Sequence, residues 1–91
     1  MAWKIEFEPP AQAAFAKLDA PIRKRIFKFL DERVKFTANP RSWGESLRGS
    51  ELGKFWKYRI GDYRLICHIE DETVTITIVK LGHRREIYRQ H

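Results

Sequence analysis

Ninety-one residues with 43% hydrophobic side chains, among them three Trp, three Tyr and six Phe, suffice for one small core and not for two. Eighteen Lys and Arg against twelve Asp and Glu leave a net charge of +6, which favours nucleic acid or an acidic protein over a small neutral substrate. The single cysteine, Cys67, rules out an internal disulfide. With no apolar leader and no apolar run near the roughly 20 residues of a membrane span, the chain is expected in a reducing cytoplasm, away from membranes.

Taken in chain order, Trp3–Glu8 alternates apolar Trp3, Ile5 and Phe7 with polar Lys4, Glu6 and Glu8, the period of a half-buried strand. Pro9 and Pro10 stop it and suit the first turn of a helix over 11–18. Asp19 is placed to cap a second helix, over about 22–36, with Pro21 in its first turn. Ile22, Ile26, Phe29 and Leu30 recur there at helical spacing, and Asn39-Pro40 ends it. Residues 41–53 read as an irregular connection. Three strands follow, over 55–60, 63–70 and 73–81, with Gly61-Asp62 and Asp71-Glu72 as two-residue turns. Gly82 is expected to end the last strand, leaving a short polar tail. The class is α+β: strand, helix, helix, then a three-stranded antiparallel meander, with both helices on one sheet face, all in a single domain over 1–91.

The Gly61-Asp62 turn sets a register in which Ile60 faces Tyr63, Arg59 faces Arg64, Tyr58 faces Leu65 and Lys57 faces Ile66. Opposed residues share a side and neighbours alternate. One face therefore carries Trp56, Tyr58, Ile60, Leu65, Cys67 and Ile69, joined by Val74, Ile76 and Ile78; this is the core. The other carries Lys57, Arg59, Arg64, Ile66, His68, Thr75 and Thr77, and is expected to lie open. Arginines set directly opposite each other repel by some tenths of a kcal/mol, and a bound anion reverses the sign. Their forks suit phosphate oxygens. The alternative is a merely solvated face on which cations discourage edge pairing.

No His/Cys cluster, HExxH run or convergent carboxylates suggest a metal or cofactor, and neither Gly49 nor Gly53 opens a nucleotide-binding glycine loop. Cys67 falls on the core face, where it is an inert small hydrophobe. RNA brings its own nucleophile, the ribose 2′-hydroxyl. Cleavage then requires a base, cations for the charge gathering on the phosphate, and an acid for the leaving 5′-oxygen. Lys57, crowded by arginines, is the candidate base and Arg64 the charge clamp. Tyr88 can take or relay a proton, and Arg84 or His83 can assist the leaving oxygen, beside Arg85. Without a strong acid–base pair such a catalyst needs help in positioning its substrate.

The segments Leu47-Arg48-Gly49, Trp56-Lys57-Tyr58-Arg59-Ile60-Gly61-Asp62-Tyr63-Arg64-Leu65-Ile66 and Val79-Lys80-Leu81-Gly82-His83-Arg84-Arg85-Glu86-Ile87-Tyr88 resemble, in order and spacing, the RelE/ParE toxin superfamily. The resemblance implies a microbial-ribonuclease-like fold and a toxin encoded with an acidic, RelB-like antitoxin. It also implies a metal-independent endoribonuclease that cuts mRNA in the ribosome without a small-molecule cofactor. It assigns catalysis to Lys57, Arg64, Arg84 and Tyr88, and RNA contacts to Lys54 and Arg59, with His83 and Arg85 beside them. A tight Arg84–Tyr88 spacing lets Arg84 and Arg85 exchange roles. The rival function within the same fold is ParE-like inhibition of DNA gyrase without nuclease chemistry.

Overall fold

The computed structural model describes residues 2–47 and 55–87, with five strands in one mixed sheet. Strand β1 (Lys4–Phe7) leads into helices α1 (Pro9–Ala16) and α2 (Ala20–Phe29), the second running on into a π-helical turn, Leu30–Val34. A 3-10 turn (Pro40–Ser42) and a short strand, β2 (Glu45–Ser46), precede β3 (Phe55–Ile60), β4 (Tyr63–Glu70), β5 (Thr75–His83) and the one-turn helix α3 (Arg84–Ile87). The strand order is β1-β5-β4-β3-β2, with β1 parallel to β5 and the other pairs antiparallel. No helix among the described residues is long and apolar enough to cross a membrane.

Both long helices open on proline, which gives up an N–H where the first turn has no acceptor for it. Asp19 occupies the cap position of α2, but its side chain makes no capping bond. Its backbone carbonyl instead accepts from the N–H groups of Ile22 and Arg23, each at 3.0 Å. The regular helix is shorter than its apolar period suggests. After Phe29 the winding widens, and the Lys35 N–H donates to Leu30 O at 2.8 Å. This keeps Leu30 and Val34 in the core. Lys35 O then accepts from Trp3 N–H at 2.7 Å, tying the end of the turn to the start of β1.

The β3–β4 register is the one the Gly61-Asp62 turn dictates, residue for residue. Tyr58, Leu65, Cys67, Ile76 and Ile78 are fully enclosed with Ile26 and Val34. The Phe7–Phe15 and Phe29–Tyr58 ring contacts, at 5.4 and 5.7 Å, show α1 and α2 on this same side. Each such side chain contributes about 1.5–3 kcal/mol on burial. The Tyr58 hydroxyl donates to Pro40 O at 2.7 Å, and enclosure pushes its pKa up. Burial likewise raises the Cys67 thiol to about 12, consistent with an inert core role.

The last hairpin departs from the simple reading in three ways. Its turn spans four residues, 71–74, with Glu70 opposite Thr75 and Val74 held at φ 51°. Because the turn grew by two, Ile76 and Ile78 keep their side. Further along, Ile66 opposes Lys80 whereas Cys67 opposes Ile78, so Val79 is an extra residue, a β-bulge. The bulge reverses the alternation: Leu81 enters the core, while Lys80 and Gly82 swing to the side of Ile66 and Arg64. Finally, β5 continues through Gly82 to His83, and Arg84–Ile87 wind into α3 where a polar tail was expected to start.

Candidate functional site

The sheet side opposite α1 and α2 carries Phe55, Lys57 and Arg59 from β3 and Arg64, Ile66 and His68 from β4, as alternation requires. It is not the fully open surface the sequence suggests. Ile66 is 5% exposed, and α3 folds back above Gly82, where an added Cβ would lie 3.6 Å from Ile87 Cδ1. What stays open is a groove of about 420 Å³ lined by Glu45, Arg59, Arg64, Arg84 and Arg85.

The hairpin turn organises this groove. Arg64, only 3% exposed, curls back so that its Nη1 donates to Gly61 O at 2.9 Å and Tyr63 O at 3.0 Å. Its buried Nε–H has no hydrogen-bond partner among the described residues. The next carbonyl of the turn, Asp62 O, accepts from Arg84 N–H at 2.7 Å and so fixes the start of α3. Ile87, buried at 5% exposure, anchors the other end of that helix. Arg59 and Arg64 are directly opposed, as expected, but they are not equivalent: Arg59 is exposed, while Arg64 is spent partly on carbonyls, which relieves the repulsion between them.

Lys57 lies on the same side, with its side chain 14% exposed and its Nζ 3.5 Å from Glu45 Oε1. That partner is a site residue the sequence reading missed, because residues 41–53 showed no strand pattern. The signal was Gly44. Its φ of 83° suits glycine, and an added Cβ would fall 2.2 Å from Lys57 O. The close approach pairs β2 with β3 and sets Glu45 opposite Lys57.

His83 is placed differently from the other candidates. By register it faces Tyr63, with the rings edge-on at 5.6 Å, on the side that holds Tyr58 and Leu65. Its Nδ1 accepts from Arg85 N–H at 3.2 Å. It thus braces the turn into α3 and does not line the groove. Lys54 and Tyr88 lie outside the described residues.

Four guanidiniums and one carboxylate line the groove, an arrangement able to hold an anion beside a proton acceptor. Comparison with known proteins shows the family of the chain. Residues 5–88 match the family described as the ParE toxin of type II toxin–antitoxin systems. Toxin RelG of Mycobacterium tuberculosis is 31% identical over 90 residues, covering 99% of this chain and 100% of the relative. The mRNA interferase toxin RelE of Escherichia coli is 29% identical over 92 residues, covering 99% and 94%. The toxin–antitoxin complex RelBE2 of M. tuberculosis superposes with a TM-score of 0.79 at 28% identity, covering 92% of this chain and 100% of the other. The chain belongs to the ParE toxin family of type II toxin–antitoxin systems, within the RelE/ParE superfamily.

Proposed function

We propose that this chain is the toxin of a type II pair and cuts messenger RNA on the ribosome, by metal-independent attack of a ribose 2′-hydroxyl on the adjacent phosphate. The observation that carries the reading is the groove in which Arg59, Arg64, Arg84 and Arg85 converge. A phosphate seated there meets fixed donors where charge develops in the transition state. The 2′-oxygen bonds to phosphorus as the bond to the 5′-oxygen breaks, leaving a 2′,3′-cyclic phosphate and a 5′-hydroxyl. The Glu45 carboxylate, 3.5 Å from Lys57 Nζ, receives the proton of the 2′-hydroxyl, or Lys57 receives it as the neutral amine after passing its own proton to that carboxylate. Arg64 and Arg84 hold the phosphate oxygens. Tyr88 relays a proton, and Arg84 or Arg85 assists the departing oxygen. Lys54 and Arg59 hold the strand, with His83 supporting Arg85 from behind.

A groove this shallow positions a flexible RNA poorly, and the ribosome supplies what it lacks. The similarity to mRNA interferase toxin RelE supports the substrate, and the RelBE2 complex supports an acidic, RelB-like antitoxin drawn to this basic surface. The test is primer extension on a translated message with wild type and Arg64→Ala, alongside gyrase supercoiling. Ribosome-dependent cuts lost in the variant support the reading. No cuts, with supercoiling blocked, would overturn it in favour of a gyrase inhibitor.

A further inference from the structure

The groove at the sheet is not the only concave cationic surface. Around the outside of the Gly61 turn lies a second groove of about 370 Å³, walled by Arg25, Lys28 and Arg33 on one side and by Arg59 on the other. Glu32 is the one carboxylate in its lining. Arg25, Lys28 and Arg59 are exposed, and none of them is ion-paired among the described residues. The Arg25 guanidinium lies against the turn: a Cβ added to Gly61 would fall 2.8 Å from its Nη1. Arg33 stacks over the Trp43 ring with its guanidinium carbon 5.6 Å from the centroid, which presets its direction.

Clustered like charges in a concavity repel one another, and a polyanion lying along them removes that cost. Arg59 lines both grooves. It can do so because β2 pairs only with Trp56 and Lys57, leaving the β3 edge at Arg59 without a neighbouring strand among the described residues. The cationic surface is therefore one strip, running from Arg84 and Arg64 past Arg59 to Lys28 and Arg25.

We infer that the Arg25–Lys28–Arg33 groove holds a second stretch of RNA phosphodiester backbone, continuous through Arg59 with the phosphate at the sheet. Resting on the nuclease reading, the inference extends the RNA contact to the helix side of the molecule. The backbone has two possible sources, the strand being cut or the ribosomal RNA around it, and both present the same phosphates to the same cations. A protein acid patch is disfavoured because three guanidinium forks and an ammonium dominate the lining, and its apolar side chains are limited to Phe29 and the buried Ile60.

The experiment compares wild type with Arg25→Ala/Lys28→Ala, both confirmed folded by circular dichroism. The probes are 2′-O-methyl oligonucleotides, which lack the nucleophile and stay uncut, of about four and about twelve nucleotides, and purified ribosomes in a pelleting assay. Losing two phosphate contacts is expected to weaken binding about tenfold and to flatten the slope of log affinity against log salt by about 1.4. A deficit on the longer oligonucleotide alone assigns the groove to the flanking strand, and a deficit only on ribosomes assigns it to ribosomal RNA. Exchange to Arg25→Lys/Lys28→Arg restores binding in either case. Unchanged affinity and slope on every probe would overturn the inference, as would weakened antitoxin binding with RNA binding intact. Because the probes are not cleaved, a wild type that binds them through this groove but cuts no message sinks only the nuclease reading.

Discussion

Arg64 is the side chain on which the groove turns, and replacing it separates its two duties. Arg64→Ala removes two hydrogen bonds from a charged donor to Gly61 O and Tyr63 O. The turn carbonyls recover water, so the stability lost is about 2 kcal/mol, at the lower end for charged donors. The larger effect is on rate. One fixed donor aimed at developing charge is worth about 10²–10³ in turnover. Arg64→Lys is the sharper probe: an ammonium keeps the charge but gathers its donors on one nitrogen, so it cannot span the turn carbonyls and the groove as a planar fork does. It is expected to bind uncut RNA with nearly wild-type affinity while cleaving about 10²-fold more slowly. The assay is single-turnover cleavage on ribosomes programmed with a defined codon, paired with urea unfolding. Wild-type cleavage by Arg64→Lys would refute the argument that the fork geometry matters, and so would a loss by Arg64→Ala no larger than its stability defect explains.

Three further outcomes follow from the packing. Tyr58→Phe strands the Pro40 carbonyl in the core and is expected to cost about 1–3 kcal/mol in urea unfolding, with cleavage little changed. Gly44→Ala forces a Cβ against Lys57 O at a positive φ; it should destabilise the chain by about 1–3 kcal/mol and slow cleavage further by parting Glu45 from Lys57. Arg41 donates to both oxygens of Asp71, at 2.9 Å each, and holds that carboxyl below its usual range. A depressed pKa gives stability that is complete above the unfolded value, about 4, and lost as pH falls through the folded value. Asp71→Asn should therefore be less stable than wild type at neutral pH and in low salt, with the gap closing on acidification below about pH 4; a gap constant with pH would show that the ion pair is not its source.

What could be read from the chain alone follows the physics of each element. The β3–β4 register was legible because Gly61-Asp62 is a strong local turn and strict alternation carries it outward. The placement of Lys57, Arg59 and Arg64 on one side followed directly. Strand β2 was not legible, since two residues carry no period and its pairing depends on a distant partner, Lys57. The curl of Arg64 was equally hidden: whether a guanidinium reaches into solvent or back to turn carbonyls depends on local geometry and not on residue type. His83 was read as part of the RNA-binding set by its nearness to Arg84, but its register position opposite Tyr63 turns it the other way.

The extra residue in β5 has a consequence for how such chains can vary. Adding or losing two residues in the 71–74 turn preserves the phase of the strand, as the observed turn itself demonstrates. Deleting Val79 would preserve it too: Ile78, Lys80 and Leu81 would stand opposite Cys67, Ile66 and Leu65 as they already do, with the bulge removed. An insertion is the damaging change. One more residue just before Lys80, with no second bulge to absorb it, would set Lys80 opposite Leu65 in the core, turn Leu81 outward and carry the arginines of α3 away from the groove. The bulge is thus a place where β5 can lose a residue without moving the groove, and relatives one residue shorter here are to be aligned with the gap at Val79.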